Sequence, residues 1–199
     1  MSERDASLLG LLGCLLPYVF IATSIALSPW FSWSRNALSD LGHSFKSPVA
    51  PIFNLGLLLG GFLLALYSLD SLRRRAPKTS LVFAAVAFNL QLVGAFDEVY
   101  GRLHLAVSIS FFVLMLISSL TYWFETGRRL ALISFIIGLL SWILYWLKVY
   151  SAGIAVPETV SSLTAVAWVV EDSVLSLKST RSRRIDQQRP ISASRFRSP

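Results

Sequence analysis

The sequence predicts an all-α polytopic membrane protein, a bundle of six transmembrane helices, and three observations support this prediction. Of the 199 residues, 54% are hydrophobic and only 15% are charged, whereas soluble domains carry about 25% charged residues. The apolar residues fall in six long stretches, and a helix needs roughly 17–25 mostly apolar residues to cross a bilayer. The Lys and Arg residues are also concentrated on one side of these stretches.

The six predicted spans follow one another with short connections. They cover about residues 7–28, 49–69, 79–96, 103–124, 130–147 and 157–177. The sixth span is the most polar, since it carries Glu158 near its start and Glu171 and Asp172 near its end. Such a helix should be shielded by neighbouring helices rather than face lipid. We therefore expect Glu158 to face the bundle interior, beside residues of the outer connections such as Arg102 or His104.

The basic residues predict the orientation in the membrane. Of the 18 Lys and Arg residues, the connections after spans one, three and five hold only Arg35, Lys46, Arg102 and Lys148. Because cytoplasmic segments carry the excess of Lys and Arg, we expect a cell-membrane protein with both termini in the cytoplasm. Residues 178–199 are polar, basic and aperiodic, which predicts a disordered cytoplasmic tail. The net charge of +7 is then a topology signal, and the expected partners are membrane lipids and no nucleic acid.

The predicted outer side collects the polar residues that are candidates for a functional site. The first outer connection contains SRNALSDLGHS and the second contains FDEVYGRLH. The candidates are Ser39, Asp40 and His43 in the first connection, Asp97 and His104 around the second, and Glu158 just after the third.

The first outer connection is predicted to contain a short interfacial helix. Ser34 suits the N-cap and Gly42 suits the C-terminal stop. The apolar Leu38 and Leu41 share one face of this helix and must be buried against lipid or the bundle. Tryptophans precede the segment, as in an aromatic belt at headgroup depth. The polar face should then meet the second outer connection and bring Asp40 or His43 near Asp97 or His104.

Two kinds of catalytic site are compatible with these residues. Two histidines and a carboxylate bind a catalytic zinc ion and leave a position for water; the candidate ligands are His43, His104, Asp97 and Glu158. Alternatively, Ser39 acts as a nucleophile that a histidine activates and a carboxylate such as Asp40 orients. Either site would make the protein a hydrolase of a lipid or a lipid-linked substrate, because these residues lie at the membrane boundary.

A non-enzymatic role explains the same residues and is the preferred interpretation. Charged groups at the membrane boundary cost little, so the carboxylates are accounted for as helix caps or as partners of Arg35 and Arg102. The protein is then a binding or accessory membrane protein. A small transporter is a further alternative, although the three-plus-three inverted repeat of many transporters is not visible. Whether the protein is an enzyme stays open at this point.

Several stretches resemble a known family. PWFSWSRNALSDLGHS followed by FNLGLLLGG resembles the opening of the domain of unknown function 998 family of archaeal and bacterial six-span membrane proteins. GAFDEVYGRLHLAVSISFF and GIAVPETVSSL resemble that family's third-to-fourth span hairpin and its sixth span. The resemblance covers roughly residues 7 to 175, and it implies a six-span bundle without implying an activity.

A more distant resemblance concerns Ser39 and His43. Their S-x-x-x-H spacing is similar to an element of the membrane hydrolases that include alkaline ceramidases and adiponectin-type receptors. Those proteins bind zinc with histidines beside an Asp, so the resemblance implies a zinc hydrolase. They also carry H-x-x-x-H in their last span, whereas the sixth span here contains no histidine. That departure removes the three-histidine zinc site.

Overall fold

The computed structural model describes residues 2–188, which form six long α-helices. These are α1 Glu3–Ala26, α2 Ala50–Asp70, α3 Pro77–Ala95, α4 Arg102–Thr126, α5 Arg129–Trp146 and α6 Ala155–Gln188. The connections contain three short 3₁₀ helices, Leu38–Gly42, Leu72–Arg74 and Glu98–Tyr100. All six long helices are apolar and long enough to cross a membrane. The predicted all-α six-helix bundle is therefore confirmed.

Each helix packs against its neighbours in sequence, and α6 packs back onto α1. The connections consequently lie at two ends of the bundle. The loop end contains residues 27–49, 96–101 and 147–154, and the terminal end contains the start of α1 and residues 71–76 and 127–128. The predicted outer connections are all at the loop end.

Helices α1 and α2 approach each other closely at two glycines of α2. A methyl group at Gly56 would lie 2.3 Å from Cβ of Phe20, and one at Gly60 would lie 2.2 Å from Cγ of Pro17. Small residues at such positions let two membrane helices pack backbone against backbone. This contact forms one wall of the bundle core.

Helix α6 differs from the predicted sixth span at its C-terminal end. It continues to Gln188, whereas the sequence analysis ended the span at 177 and predicted disorder from 178. The segment contains no Gly or Pro before Pro190 and is rich in Arg, Ser and Gln, so nothing in its local propensity ends the helix. The remaining part of the predicted tail, 189–199, lies outside the described residues.

Candidate functional site

The 3₁₀ helix Leu38–Gly42, called here the first-loop helix, lies on the loop end of the bundle. Leu38 and Leu41 are buried beneath it, as the sequence predicted. A methyl group at Gly42 would lie 2.5 Å from Oδ1 of Asn54, and the Asn54 side-chain amide donates to the Gly42 carbonyl at 3.0 Å. The first-loop helix is therefore packed directly against the start of α2.

The start of this helix differs from the prediction. It begins at Leu38 rather than after Ser34, and the Ser34 hydroxyl pairs instead with that of Ser32 at 2.9 Å. The capping acceptor is Asp40, whose Oδ2 accepts the Ala37 backbone N–H at 3.0 Å. The same oxygen accepts the side-chain amide of Asn36 at 2.7 Å. Asp40 thus stabilises the turn of its own segment.

The third connection of the loop end holds the first one by backbone hydrogen bonds. The N–H of Gly153 donates to the Trp33 carbonyl at 2.8 Å, and the N–H of Ala155 donates to the Asn36 carbonyl at 3.0 Å. A methyl group at Gly153 would lie only 2.5 Å from the Asn36 carbonyl oxygen. The first-loop helix is thereby fixed relative to the start of α6.

The second connection meets the polar side of the first-loop helix, as expected from the sequence. The Ser39 hydroxyl donates to Oε1 of Glu98 at 2.7 Å. Oδ2 of Asp97 accepts the Ser44 backbone N–H at 3.2 Å and also accepts the Ser44 hydroxyl. Oδ1 of Asp97 accepts the Val99 N–H at 2.9 Å. Burial opposes ionisation of Asp97, but these hydrogen bonds and the nearby His43 outweigh it and lower the Asp97 pKa below its usual range.

Glu158 reaches into the bundle from the start of α6. Its Oε2 accepts the backbone N–H of Leu38 at 2.7 Å, so the carboxylate joins α6 to the first-loop helix. The expected interior position of Glu158 is therefore observed. The expected contacts with Arg102 or His104 are not observed, because Glu158 forms a hydrogen bond to neither residue in the described part of the chain.

Glu158, Glu98 and Asp40 form a group that we call the carboxyl cluster. The three carboxyl groups are close enough to repel one another electrostatically. Burial raises the Glu98 pKa above its ordinary value, the Ser39 hydrogen bond opposes this shift, and the Asp40 carboxylate adds to it. Within the described residues no Lys or Arg forms an ion pair with the cluster. His104 is close enough to favour ionised Glu98.

The two histidines do not form the predicted catalytic arrangements. Nδ1 of His104 lies 2.7 Å from the Phe96 carbonyl oxygen, and its Nε2 lies 3.4 Å from the Ser108 hydroxyl. Nδ1 of His43 accepts the Phe45 N–H at 3.4 Å. Neither imidazole bonds Ser39, whose hydroxyl is directed to Glu98 instead. The predicted serine–histidine pair is therefore not assembled.

The predicted zinc ligands also stay apart. Among residues 2–188, no three His, Cys, Asp or Glu side chains are grouped so that they could hold a metal ion. The physical reason is that the candidates His43, His104, Asp97 and Glu158 are each engaged by backbone groups of the loop end. Carboxyl groups lie near Ser39, whereas the sequence analysis expected a histidine together with a carboxylate there.

A partly open cavity of about 120 Å³ begins beneath the first-loop helix. Ser39 and Glu158 line it at the loop end, and apolar side chains from α1, α2, α3, α4 and α6 line most of the rest. Along α6 the lining runs from Glu158 to Val169, about 16 Å at the helical rise per residue. The hydroxyl of Tyr18, which donates to Ser162 at 2.8 Å, is one of the few further polar groups. The cavity therefore has one polar end and a long apolar body.

The terminal end contains a second polar cluster that the sequence analysis missed. Asp172 accepts hydrogen bonds from the hydroxyls of Tyr67 and Tyr122, and it forms an ion pair with Arg75. The sequence analysis counted Arg75 only among the 18 Lys and Arg residues that predict the orientation. It treated Asp172 only as a sign that the sixth span is shielded. The sequence did contain a signal for this cluster: Asp172 is a carboxylate within an apolar span, and such a group requires a buried partner.

Comparison with known proteins gives one match. A family model described as "Protein of unknown function (DUF998)" matches residues 11–171. The matched segment contains every residue of the carboxyl cluster and the lining of the cavity. No curated protein and no solved structure matches the chain.

Proposed function

From the premise that this chain belongs to the DUF998 family of proteins of unknown function, we propose that it binds an amphipathic molecule taken from the membrane. The observation that carries this proposal is the cavity, whose apolar body ends at the polar groups of Ser39 and Glu158. An amphipathic molecule has the same division, with a hydrocarbon part and a polar head. The protein is thus a binding protein of the membrane rather than a soluble carrier.

The polar end of the cavity decides which molecule binds. Lipid tails are as apolar as leucine side chains, so moving a hydrocarbon chain from the bilayer into the cavity gains little free energy. Hydrogen bonds to Ser39 and Glu158 are formed only by a molecule with a suitable head. Affinity and selectivity therefore come from the loop end, and the apolar wall mainly sets the shape of the tail.

The charge distribution supports an orientation with the loop end outside the cell. The basic residues of the described terminal end include Arg4, Arg73, Arg128 and Arg129, and positively charged segments stay in the cytoplasm. The first-loop helix then lies at the depth of the outer headgroups, with Trp30 and Trp33 partly exposed beside it. In this orientation the cavity receives its ligand from the outer leaflet.

A pair of substitutions on α6 tests the proposal. Ala165 is buried and lines the cavity, whereas Leu163 on the same helix is 49% exposed. Ala165→Phe fills the cavity, and Leu163→Phe adds a ring on the exposed surface. We expect native mass spectrometry to show a bound amphiphile on the wild type and Leu163→Phe, and none on a folded Ala165→Phe. Equal loading of all three proteins, or no loading of the wild type, would contradict the proposal.

Hydrolysis is a second candidate function. Two observations favour it: the Ser39 hydroxyl donates to a carboxyl oxygen of Glu98, and Ser39 also lines the cavity. In this reaction the Ser39 oxygen attacks an ester carbonyl while Glu98 takes the hydroxyl proton. Glu98 returns the proton to the departing alcohol, and water then cleaves the acyl group from Ser39. An alkyl fluorophosphonate should label wild-type protein and not Ser39→Ala. Absence of labelling together with amphiphile binding would leave binding as the function.

A further inference from the structure

We infer that the polar end of the cavity selects an amphiphile with an amine head, such as an alkyl primary amine. This inference rests on the proposed binding function and names the chemical class of the ligand. It follows from the hydrogen-bonding capacity and the charge of the groups at the loop end.

Glu158 supplies the first argument, because one of its oxygens lacks a partner. Oε2 accepts the Leu38 N–H at 2.7 Å, whereas Oε1 makes no hydrogen bond to any described residue. The side chain lines the cavity, so Oε1 is available to a ligand there. A ligand N–H group in the cavity would therefore give this oxygen a hydrogen-bond donor.

Ser39 supplies the second argument. Its hydroxyl hydrogen is committed to Oε1 of Glu98 at 2.7 Å, so its oxygen presents only lone pairs to the cavity. Beside a bound ammonium head Glu158 is ionised, and both polar groups at this end are then acceptors. An ammonium group has three donors and no acceptor, a hydroxyl has one donor, and a carboxylate has none. The amine matches this set of acceptors better than either of the other heads.

The charge of the carboxyl cluster gives the third argument. Asp40, Glu98 and Glu158 lie near one another without an ion pair to Lys or Arg among the described residues. His104 is the basic group that faces Glu98 from α4, and its ring nitrogens already contact Phe96 and Ser108. An ammonium head would supply the missing positive charge, whereas phosphate and carboxylate heads would be repelled. Anionic phospholipids are thereby disfavoured as ligands.

Three probes with the same tail separate these heads: hexylamine, hexanol and hexanoic acid, whose six-carbon tail suits a cavity of about 120 Å³. Each is added at the same mole fraction to phosphatidylcholine nanodiscs that contain the full chain, and its occupancy is measured by native mass spectrometry. We expect the amine to bind at least about tenfold more tightly than the alcohol, which corresponds to one charge-assisted hydrogen bond. The acid should not bind.

Substitutions of the cavity residues then test whether the preference for the amine arises in the cavity. Glu158→Gln should reduce amine affinity to that of the alcohol and leave alcohol affinity unchanged. Glu171→Gln, which removes a carboxylate of α6 that does not line the cavity, should change neither affinity. Ser39→Ala, which removes the second acceptor, should weaken the preference for amine and gives an independent test if Glu158→Gln does not fold.

The outcomes distinguish the two proposals. Equal binding of amine and alcohol, both abolished by Ala165→Phe, would overturn the amine inference and retain the binding function. Binding that Ala165→Phe does not affect, or no binding of any probe, would overturn the binding function itself. A preference for the amine that survives both Glu158→Gln and Ser39→Ala would place the amine elsewhere and overturn the inference.

Discussion

The guanidinium of Arg75 and the carboxylate of Asp172 form a two-point contact at the terminal end of the bundle. Nε of Arg75 donates to Oδ1 at 3.0 Å, and Nη2 donates to Oδ2. The same carboxylate accepts the hydroxyls of Tyr67 and Tyr122, the latter at 2.8 Å. Asp172 therefore connects α6 to α2, to α4 and to the connection between α2 and α3.

Removing the charge of Asp172 should destabilise the fold strongly. Asp172 is 2% exposed, and Asp172→Asn would remove the buried counter-charge of the Arg75 guanidinium. It would leave only the more exposed Glu3 carboxylate, 3.6 Å away. Breaking one side of such a pair costs roughly 3–5 kcal/mol. The free energy of unfolding, measured by denaturant titration in mixed micelles, should fall by about this amount.

The neighbouring carboxylate provides the control for this experiment. Glu171 lies 3.9 Å from Arg128, and both side chains are partly exposed. Exposed pairs contribute about 1 kcal/mol or less, so Glu171→Gln should have a small effect. The prediction for Asp172 would be refuted by equal losses in the two variants.

The two tyrosines that bond Asp172 should each contribute to stability through their hydroxyls. Tyr67→Phe and Tyr122→Phe retain the rings, including the stacking of Tyr122 on Trp168, and remove only the hydrogen bonds. A hydrogen bond to a charged group contributes about 1.5–3 kcal/mol. Because both bonds end on one carboxylate, the double variant should deviate from additivity, and a double-mutant cycle of unfolding free energies measures this. Strict additivity would show that the two hydroxyls act independently.

Gly153 should be intolerant of a side chain because of its contact with the first connection. A Cβ atom there would lie 2.5 Å from the Asn36 carbonyl oxygen, which is backbone and cannot rotate away. Gly153→Ala should cost about 1–3 kcal/mol and increase amide exchange at Ala155. The matched control is Gly138→Ala in α5, where the nearest atom is a side-chain methyl of Leu116 at 3.1 Å. Similar losses in both variants would mean that the contact between the connections is not tight.

Asp97 and Glu98 are adjacent in sequence and should change stability with pH in opposite directions. The folded-state pKa of Asp97 is lowered, so its stabilisation is present above its ordinary pKa of about 3.9 and is lost as the pH falls towards the lowered value. The folded-state pKa of Glu98 is raised. Its contribution is present below its ordinary pKa of about 4.3 and is lost as the pH rises through the raised value.

Two isosteric variants separate these contributions. Relative to the wild type, Asp97→Asn should remove part of the loss of stability on acidification. Glu98→Gln, which keeps an acceptor for Ser39, should remove part of the loss above pH 4.3 as the pH rises. Unfolding curves recorded across this range measure both slopes. Slopes that change in the same direction in the two variants would contradict the assignment.

The spans followed from the sequence because hydrophobic length alone determines which segments cross a membrane. The contact between the first-loop helix and the second connection was also expected, since Leu38 and Leu41 needed an apolar surface to cover them. The sequence did not predict which groups the polar side chains of the loop end would bond. His43 and His104 looked like ligands, but the backbone groups of Phe45 and Phe96 engage them.

The pairing of Arg75 with Asp172 was hidden for a different reason. The two residues are distant in the chain, and each has a sufficient local explanation. Arg75 lies in a basic connection that predicts the orientation, and Asp172 lies in a polar span. Only the packing of α6 onto α1 and α4 in the folded bundle shows that they meet. The cavity was equally unpredictable, because it is a property of how five helices fail to fill the core between them.

The final prediction is that the loop end of the bundle faces the outside of the cell, and cysteine substitutions of two lysines test it. Lys46 at the loop end and Lys78 at the terminal end are both exposed, and each substitution removes one positive charge from its own side. The chain has one cysteine, Cys14, which is buried. In a Cys14→Ala background the introduced cysteine is therefore the one thiol that a maleimide can label. We expect a membrane-impermeant maleimide to label Lys46→Cys in intact cells and Lys78→Cys only after permeabilisation, because the more basic side stays in the cytoplasm. The reverse pattern would place the carboxyl cluster and the mouth of the cavity on the cytoplasmic side, and the ligand would then have to come from the inner leaflet.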